Sequence, residues 1–219
     1  MSRATEVEIS NSKFDSNVAA GSGAVLFDYC SNVMVNICNF ASNNATANAG
    51  AIYFKRHVDG FYTVSFSNFT NNKASNGGAV YIDECSDVEI KNSKFTDNKA
   101  NDAGAIYTNK IMMVEDCEFK DNTASNAGAI KLNNAGHSRI NGSSFTGNKA
   151  TTAAAIWASG DGIEITTSKF TSNGATGDAG AIYLDSQDGL IDFSNFTSNR
   201  AVNGAAVVLT QDAVIKNSY

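Results

Sequence analysis

The chain has 219 residues, a net charge of −6, 42% hydrophobic and only 17% charged residues. That supplies one sizeable core, and the absence of proline excludes a proline-rich linker or a collagen-like chain. No run of roughly 18 apolar residues exists to cross a bilayer, and the acidic balance, with no clustered Lys and Arg, argues against nucleic acid as a partner.

The start, Met1-Ser2-Arg3-Ala4-Thr5, has no apolar signal region. The first predicted strand, Val7-Glu8-Ile9, alternates apolar and polar. Phe14 follows, then Asn17, Ala19 and the step Gly23-Ala24-Val25. The second unit repeats this order with Phe40, Asn43, Ala45 and Gly50-Ala51-Ile52, and the third with Phe69, Asn72, Ala74 and Gly78-Ala79-Val80. The fourth has Phe95, Asn98, Ala100 and Gly104-Ala105-Ile106; the fifth has Phe119, Asn122, Ala124 and Gly128-Ala129-Ile130. In the sixth, Phe145, Asn148 and Ala150 precede Ala154-Ala155-Ile156, where alanine replaces the glycine. The seventh has Phe170, Asn173, Ala175 and Gly180-Ala181-Ile182; the eighth has Phe196, Asn199, Ala201 and Ala205-Ala206-Val207. A ninth unit begins at Val214-Ile215-Lys216-Asn217-Ser218. Two residues before each Phe stands Ser or Cys, for example Ser93 and Cys117.

A unit of about 26 residues is too short for a propeller blade of about 40–45, and its apolar spacing alternates rather than following 3.6. Three short strands per unit, separated by Gly, Asn and Asp turns, make one coil of a parallel β-helix. The predicted fold is all-β: a right-handed parallel β-helix of about eight coils. Residues 1–219 form a single β-helix segment, expected to be a fragment of a longer surface protein. The hand follows the general preference of parallel crossovers. Open ends expose strand edges, so end-to-end self-association is expected.

A residue type that recurs once per coil stacks on its own copies. The Phe column becomes a buried ring stack. The Asn column becomes a turn-locking amide ladder rather than a ligand site, because an amide both donates and accepts. The Gly and Ala columns mark a tight corner. Cys38 and Cys117 share the Ser/Cys column three coils apart, and Cys30 and Cys85 sit two coils apart. That is about 10 Å along the axis, too far for a bridge, so four free thiols are expected. His57 and His137 fall in variable connections and read as surface residues.

No cofactor and no metal are expected. The four Arg fall in different columns, and no Gly-x-Ser-x-Gly, His-Glu-x-x-His or phosphate loop occurs. Acidic residues such as Asp83, Asp161 and Asp185 recur in the connections, strung along a rod edge rather than facing one another across a cleft. The chain therefore reads as no enzyme. The candidate binding surface is an aromatic stripe: Tyr53, Tyr81, Tyr107, Trp157 and Tyr183, each one residue past the Val/Ile of the Gly-Ala step. Alternation points it outward, and Lys131 in the same column supports exposure. It could bind a partner or form a stacked ladder over the sheet. A Thr row also recurs, at Thr70, Thr96, Thr146, Thr171 and Thr197; it lacks the second flat Thr row that ice binding wants.

The tandem Phe-x-x-Asn and Gly-Gly-Ala-Ile/Val/Leu pair, complete in Phe95-Thr96-Asp97-Asn98 and Gly77-Gly78-Ala79-Val80, resembles the chlamydial polymorphic membrane protein repeat. Similar repeats occur in adhesin-like surface proteins of methanogenic archaea and in some protist surface proteins. Most units here keep only the second Gly. The resemblance implies a passenger β-helix at the cell surface or outside the cell. It implies attachment to a host or partner-cell surface protein or glycan, with no direct membrane insertion by this segment. The other reading of the fold is a polysaccharide-binding or polysaccharide-degrading lyase or hydrolase.

Overall fold

The computed structural model describes residues 4–56, 59–85 and 87–219. Among them every regular element is a strand. Each unit places one strand in each of three long sheets, and every strand pairing is parallel. The first sheet has nine strands, from Val7–Ser10 to Ala213–Lys216. The second has eight, from Lys13–Asp15 to Asn195–Thr197. The third has eight, from Val25–Asp28 to Val207–Leu209. The sequence repeat is thus one coil of a β-solenoid.

Register follows from alternation. Phe69 lies between Phe40 and Phe95, and Ile90 lies between Val64 and Val114. A slip of one residue would turn each of these columns to solvent. The core fills from three inward columns, typified by Val64, Phe69 and Ile82, all fully buried. Ring centroids in the Phe column lie 4.6 to 5.0 Å apart with interplanar angles of 2 to 8°. That spacing is the strand spacing of about 4.8 Å, so the backbone dictates it.

From Asn43 to Asn173 the Asn ladder is satisfied on every side-chain atom. The Nδ2 of Asn98 donates to the Asn122 Oδ1 at 3.0 Å and to the Phe69 carbonyl at 2.9 Å. The Asn98 Oδ1 accepts from the backbone N–H and the Nδ2 of Asn72, both at 3.0 Å. A second ladder runs through the Ser column. The Ser143 hydroxyl donates to the Asn141 carbonyl at 3.0 Å and accepts the Cys117 N–H at 3.1 Å. Cys38 and Cys117 take serine positions, their thiols donating to the Asn36 and Glu115 carbonyls at 3.3 and 3.2 Å. All four cysteines are free.

At the corner before the third sheet, a methyl on Gly50 would sit 2.1 Å from the Gly78 carbonyl oxygen, and one on Gly104 would sit 2.0 Å from the Gly128 oxygen. Coils approach there by backbone contact, which is why glycine recurs. Ala154 holds the same column, fully buried. The corner therefore demands a small residue rather than glycine alone.

Candidate functional site

A solenoid with filled ladders offers function only its outer faces. The stripe lies on the outside of the third sheet, but it is less open than alternation suggests. Tyr53 is only 9% exposed, and Tyr81, Tyr107, Trp157 and Tyr183 are half-buried. Tyr81 and Tyr107 stack with centroids 4.9 Å apart at 13°, and Tyr53 meets Tyr81 edge-on at 5.1 Å. Trp157 and Tyr183 lie parallel at 6.1 Å. The expected exposure of Lys131 is corrected: its side chain is 13% exposed and its Nζ lies 2.7 Å from the Asp102 carboxylate. The same ammonium sits 4.8 Å from the Trp157 ring and 5.8 Å from the Tyr107 ring. It fills the gap between two rings as a cation–π contact. Burial, then Asp83, pushes the Tyr81 phenol above its ordinary range; burial, then Asp102, does the same to Tyr107. Ring faces that stack on each other are closed to a flat ligand. Edges and hydroxyls remain outside, where Asp83 accepts from the Tyr53 hydroxyl at 3.3 Å.

The outer face of the first sheet gathers three acidic groups around one cleft. Glu89, Glu115 and Glu164 line a cleft of about 270 Å³ with Met113 and Arg139. Glu89 is paired with Lys91 at 2.7 Å and Glu164 with Arg139 at 2.9 Å. Among the described residues no group of three His, Cys, Asp or Glu is placed to hold a metal ion. His137 is exposed on its turn, and His57 lies outside the described residues. Elsewhere, Arg56 clamps Asp28 and lies 4.1 Å over the Tyr29 ring. Its hydrogen bonds hold the Asp28 carboxyl below the usual range.

A third surface was not foreseen from the sequence. The turn between the first and second sheets passes through one left-handed residue per coil: Asn11, Ile37, Phe66, Asn92, Asp116, Gly142, Thr167, Phe193 and Asn217. Asn, Asp and Gly suit that conformation. Ile37, Phe66 and Phe193 do not, with φ of 54°, 48° and 47°. They are also 53%, 58% and 64% exposed. Ile37 and Phe66 follow the paired residues Asn36 and Ser65, so they are neighbours on adjacent coils. Phe66 opens onto a shallow groove of about 380 Å³ that continues past Lys94 and Glu118 to Ser144. The sequence signal was a bulky apolar residue in an otherwise polar turn column.

A family model described as "Right handed beta helix region" matches residues 1–170. The chain belongs to this family. The match agrees with the parallel coils and supplies their hand. No curated protein and no solved structure matches this right-handed β-helix.

Proposed function

We propose that this β-helix is a non-catalytic, adhesin-like rod, displayed outside the cell, that attaches to a protein or glycan on a host or partner cell. The observation that carries this reading is the Ile37–Phe66 pair. A left-handed conformation costs a branched or bulky residue roughly 1–2 kcal/mol, and exposing the side chain forgoes its burial. Neither cost serves the coil, since Asn92 fills the same column with the same backbone. Large side chains kept in water at such a cost suit a contact anchor. The resemblance of the Phe-x-x-Asn and Gly-Gly-Ala-Val repeats to those of chlamydial surface proteins supports attachment. The aromatic stripe is the weaker contact surface, because its ring faces are already occupied.

The test is the double variant I37N/F66N. It is expected to melt higher than the parent, because asparagine relieves the turn, and to bind target cells less. Unchanged cell binding would remove the pair from the contact surface. The enzyme reading rests on the Glu89–Glu115–Arg139–Glu164 cleft. It predicts release of unsaturated or reducing sugar ends from acidic polysaccharides, lost in E115Q.

A further inference from the structure

The residue after each ladder asparagine points outward, and the repeat stacks these positions into one column along the rod. Asn44 pairs with Lys73, Lys73 with Lys99, Lys99 with Thr123, Thr123 with Lys149, and Gly174 with Arg200. Lysines that lie 26 or 50 residues apart in sequence thus fall on one line parallel to the axis, with Lys73 directly over Lys99 at about the 4.8 Å strand spacing. The sequence shows no basic run, yet the fold builds a basic row. Lys120 stands in the neighbouring outward column, and Lys169 lies across the outer face of the second sheet. All six cations, Lys73, Lys99, Lys120, Lys149, Lys169 and Arg200, are exposed. Among the described residues none of them makes an ion pair within 4.0 Å, whereas Lys94 on the same sheet is paired with Glu118, and Lys131, Arg139 and Arg56 on the other faces are paired too.

Stacking does not ask for these charges. Asn44, Thr123 and Gly174 fill the same column, and like charges directly opposite each other on paired strands are destabilising. We infer that this row is a binding track for a linear anionic polysaccharide lying along the rod axis. A linear polymer matches a linear row. Its low charge density suits a chain that is net negative overall. The groups between the cations are those that bond hydroxyls: Thr70, Thr96, Thr146 and Thr171 beside the row, with the carboxylates of Asp97 and Asp121, which make no ion pair among the described residues. Those carboxylates would repel a dense polyphosphate and accept from sugar hydroxyls. No aromatic ring stands in the row itself: the second-sheet Phe rings point into the core, and the exposed Phe66 and Phe193 lie across the sheet at the turn from the first sheet. The inference deepens the attachment reading by naming a ligand class, and it uses a different surface from the Ile37–Phe66 pair.

The experiment measures binding of the 219-residue chain to heparin oligosaccharides, hyaluronan oligosaccharides, neutral dextran and single-stranded DNA. It compares the parent, K73Q/K99Q/K149Q, and the off-track control K55Q/K110Q, with a thermal melt to verify folding. At least one acidic polysaccharide is expected to bind, more weakly as salt rises, with dextran not binding. The triple variant should lose roughly ten- to a hundredfold in affinity with a shallower salt slope, and the control should bind as the parent does. Preference for heparin over hyaluronan assigns the track to sulfated chains; the reverse assigns it to carboxylated ones. Three results overturn the inference: neither polysaccharide binds, the folded triple variant binds like the parent, or DNA binds as tightly as either polysaccharide. Should the parent adhere to cells yet ignore both polysaccharides, the track fails while the attachment reading stands. Should it cleave what it binds, the non-catalytic reading fails while the track stands.

Discussion

At Asn98 the side chain has no spare bonding capacity. Its Nδ2 donates to the Asn122 Oδ1 and the Phe69 carbonyl, and its Oδ1 accepts two hydrogen bonds from Asn72. Aspartate has the same shape but no donor. In N98D the Phe69 carbonyl and the Asn122 Oδ1 would face a buried carboxylate instead of an amide. Taking the side-chain donor from the Phe69 carbonyl, leaving the Asn122 Oδ1 with only the residue-98 N–H, and burying a charge costs on the order of 3–5 kcal/mol. The expected outcome in urea unfolding is a loss of unfolding free energy of that size at neutral pH, seen as a lower midpoint and partly recovered at low pH, where the acid regains a proton to donate. Equal stability of N98D and the parent at neutral pH would refute the ladder as described. At the same scale, Cys117 shows what replacing a ladder residue does when size is kept: the thiol preserves the bond to the Glu115 carbonyl.

At the scale of the sheet, three phenols in the outer row of the third sheet and two thiols in the core are shifted in the same direction. Burial first, then the neighbouring Asp83 or Asp102, raises the phenols of Tyr53, Tyr81 and Tyr107. Burial pushes the thiols of Cys85 and Cys117 up to about 12. Unfolded thiols and phenols ionise near about 8.5 and 10. The folded chain therefore keeps protons that the unfolded chain releases. This part of the stability is full below about pH 8 and is lost as pH rises toward 12. Denaturation midpoints are expected to fall across that window, and to fall less in Y81F/Y107F, which keeps the ring stack but removes two ionising groups. An equal slope in parent and variant would show that the phenols do not titrate abnormally. The sequence placed these tyrosines in one outward column, because alternation needs only a period of two. It did not reveal their cover. Lys131 argued for exposure when read alone. Its burial depends on Asp102 and Trp157, which come from neighbouring coils 29 and 26 residues away. Ile37 and Phe66 were missed for a related reason: apolar character does not announce a left-handed backbone. The Phe and Asn columns were legible because period alone places them.

At the scale of the whole molecule, each coil touches only the coils before and after it, so stability is a chain of nearest-neighbour terms. The Phe stack displays this. Phe119 is fully buried between Phe95 and Phe145 at 4.9 and 4.8 Å, whereas Phe14 has one ring neighbour, Phe40, and is half-buried. Truncating a fully buried Phe to Ala costs roughly 3–5 kcal/mol through lost burial and the cavity left behind. In F119A that loss falls on two interfaces in the middle of the rod, and opening there separates both halves. In F14A it falls on one ring interface, that with Phe40, at a coil where Phe14 is already half-buried. Hydrogen exchange distinguishes the two. F14A is expected to lose protection only in the coil that contains Val7–Ser10 and Lys13–Asp15, with amides of the central strands, such as those of Ile106 and Ile130, unchanged. F119A is expected to lower protection over several coils to either side, and to lower the midpoint of denaturation. If the two variants lost protection over the same set of amides, the rod would unfold as a single cooperative block, and nearest-neighbour stacking would not describe its energetics.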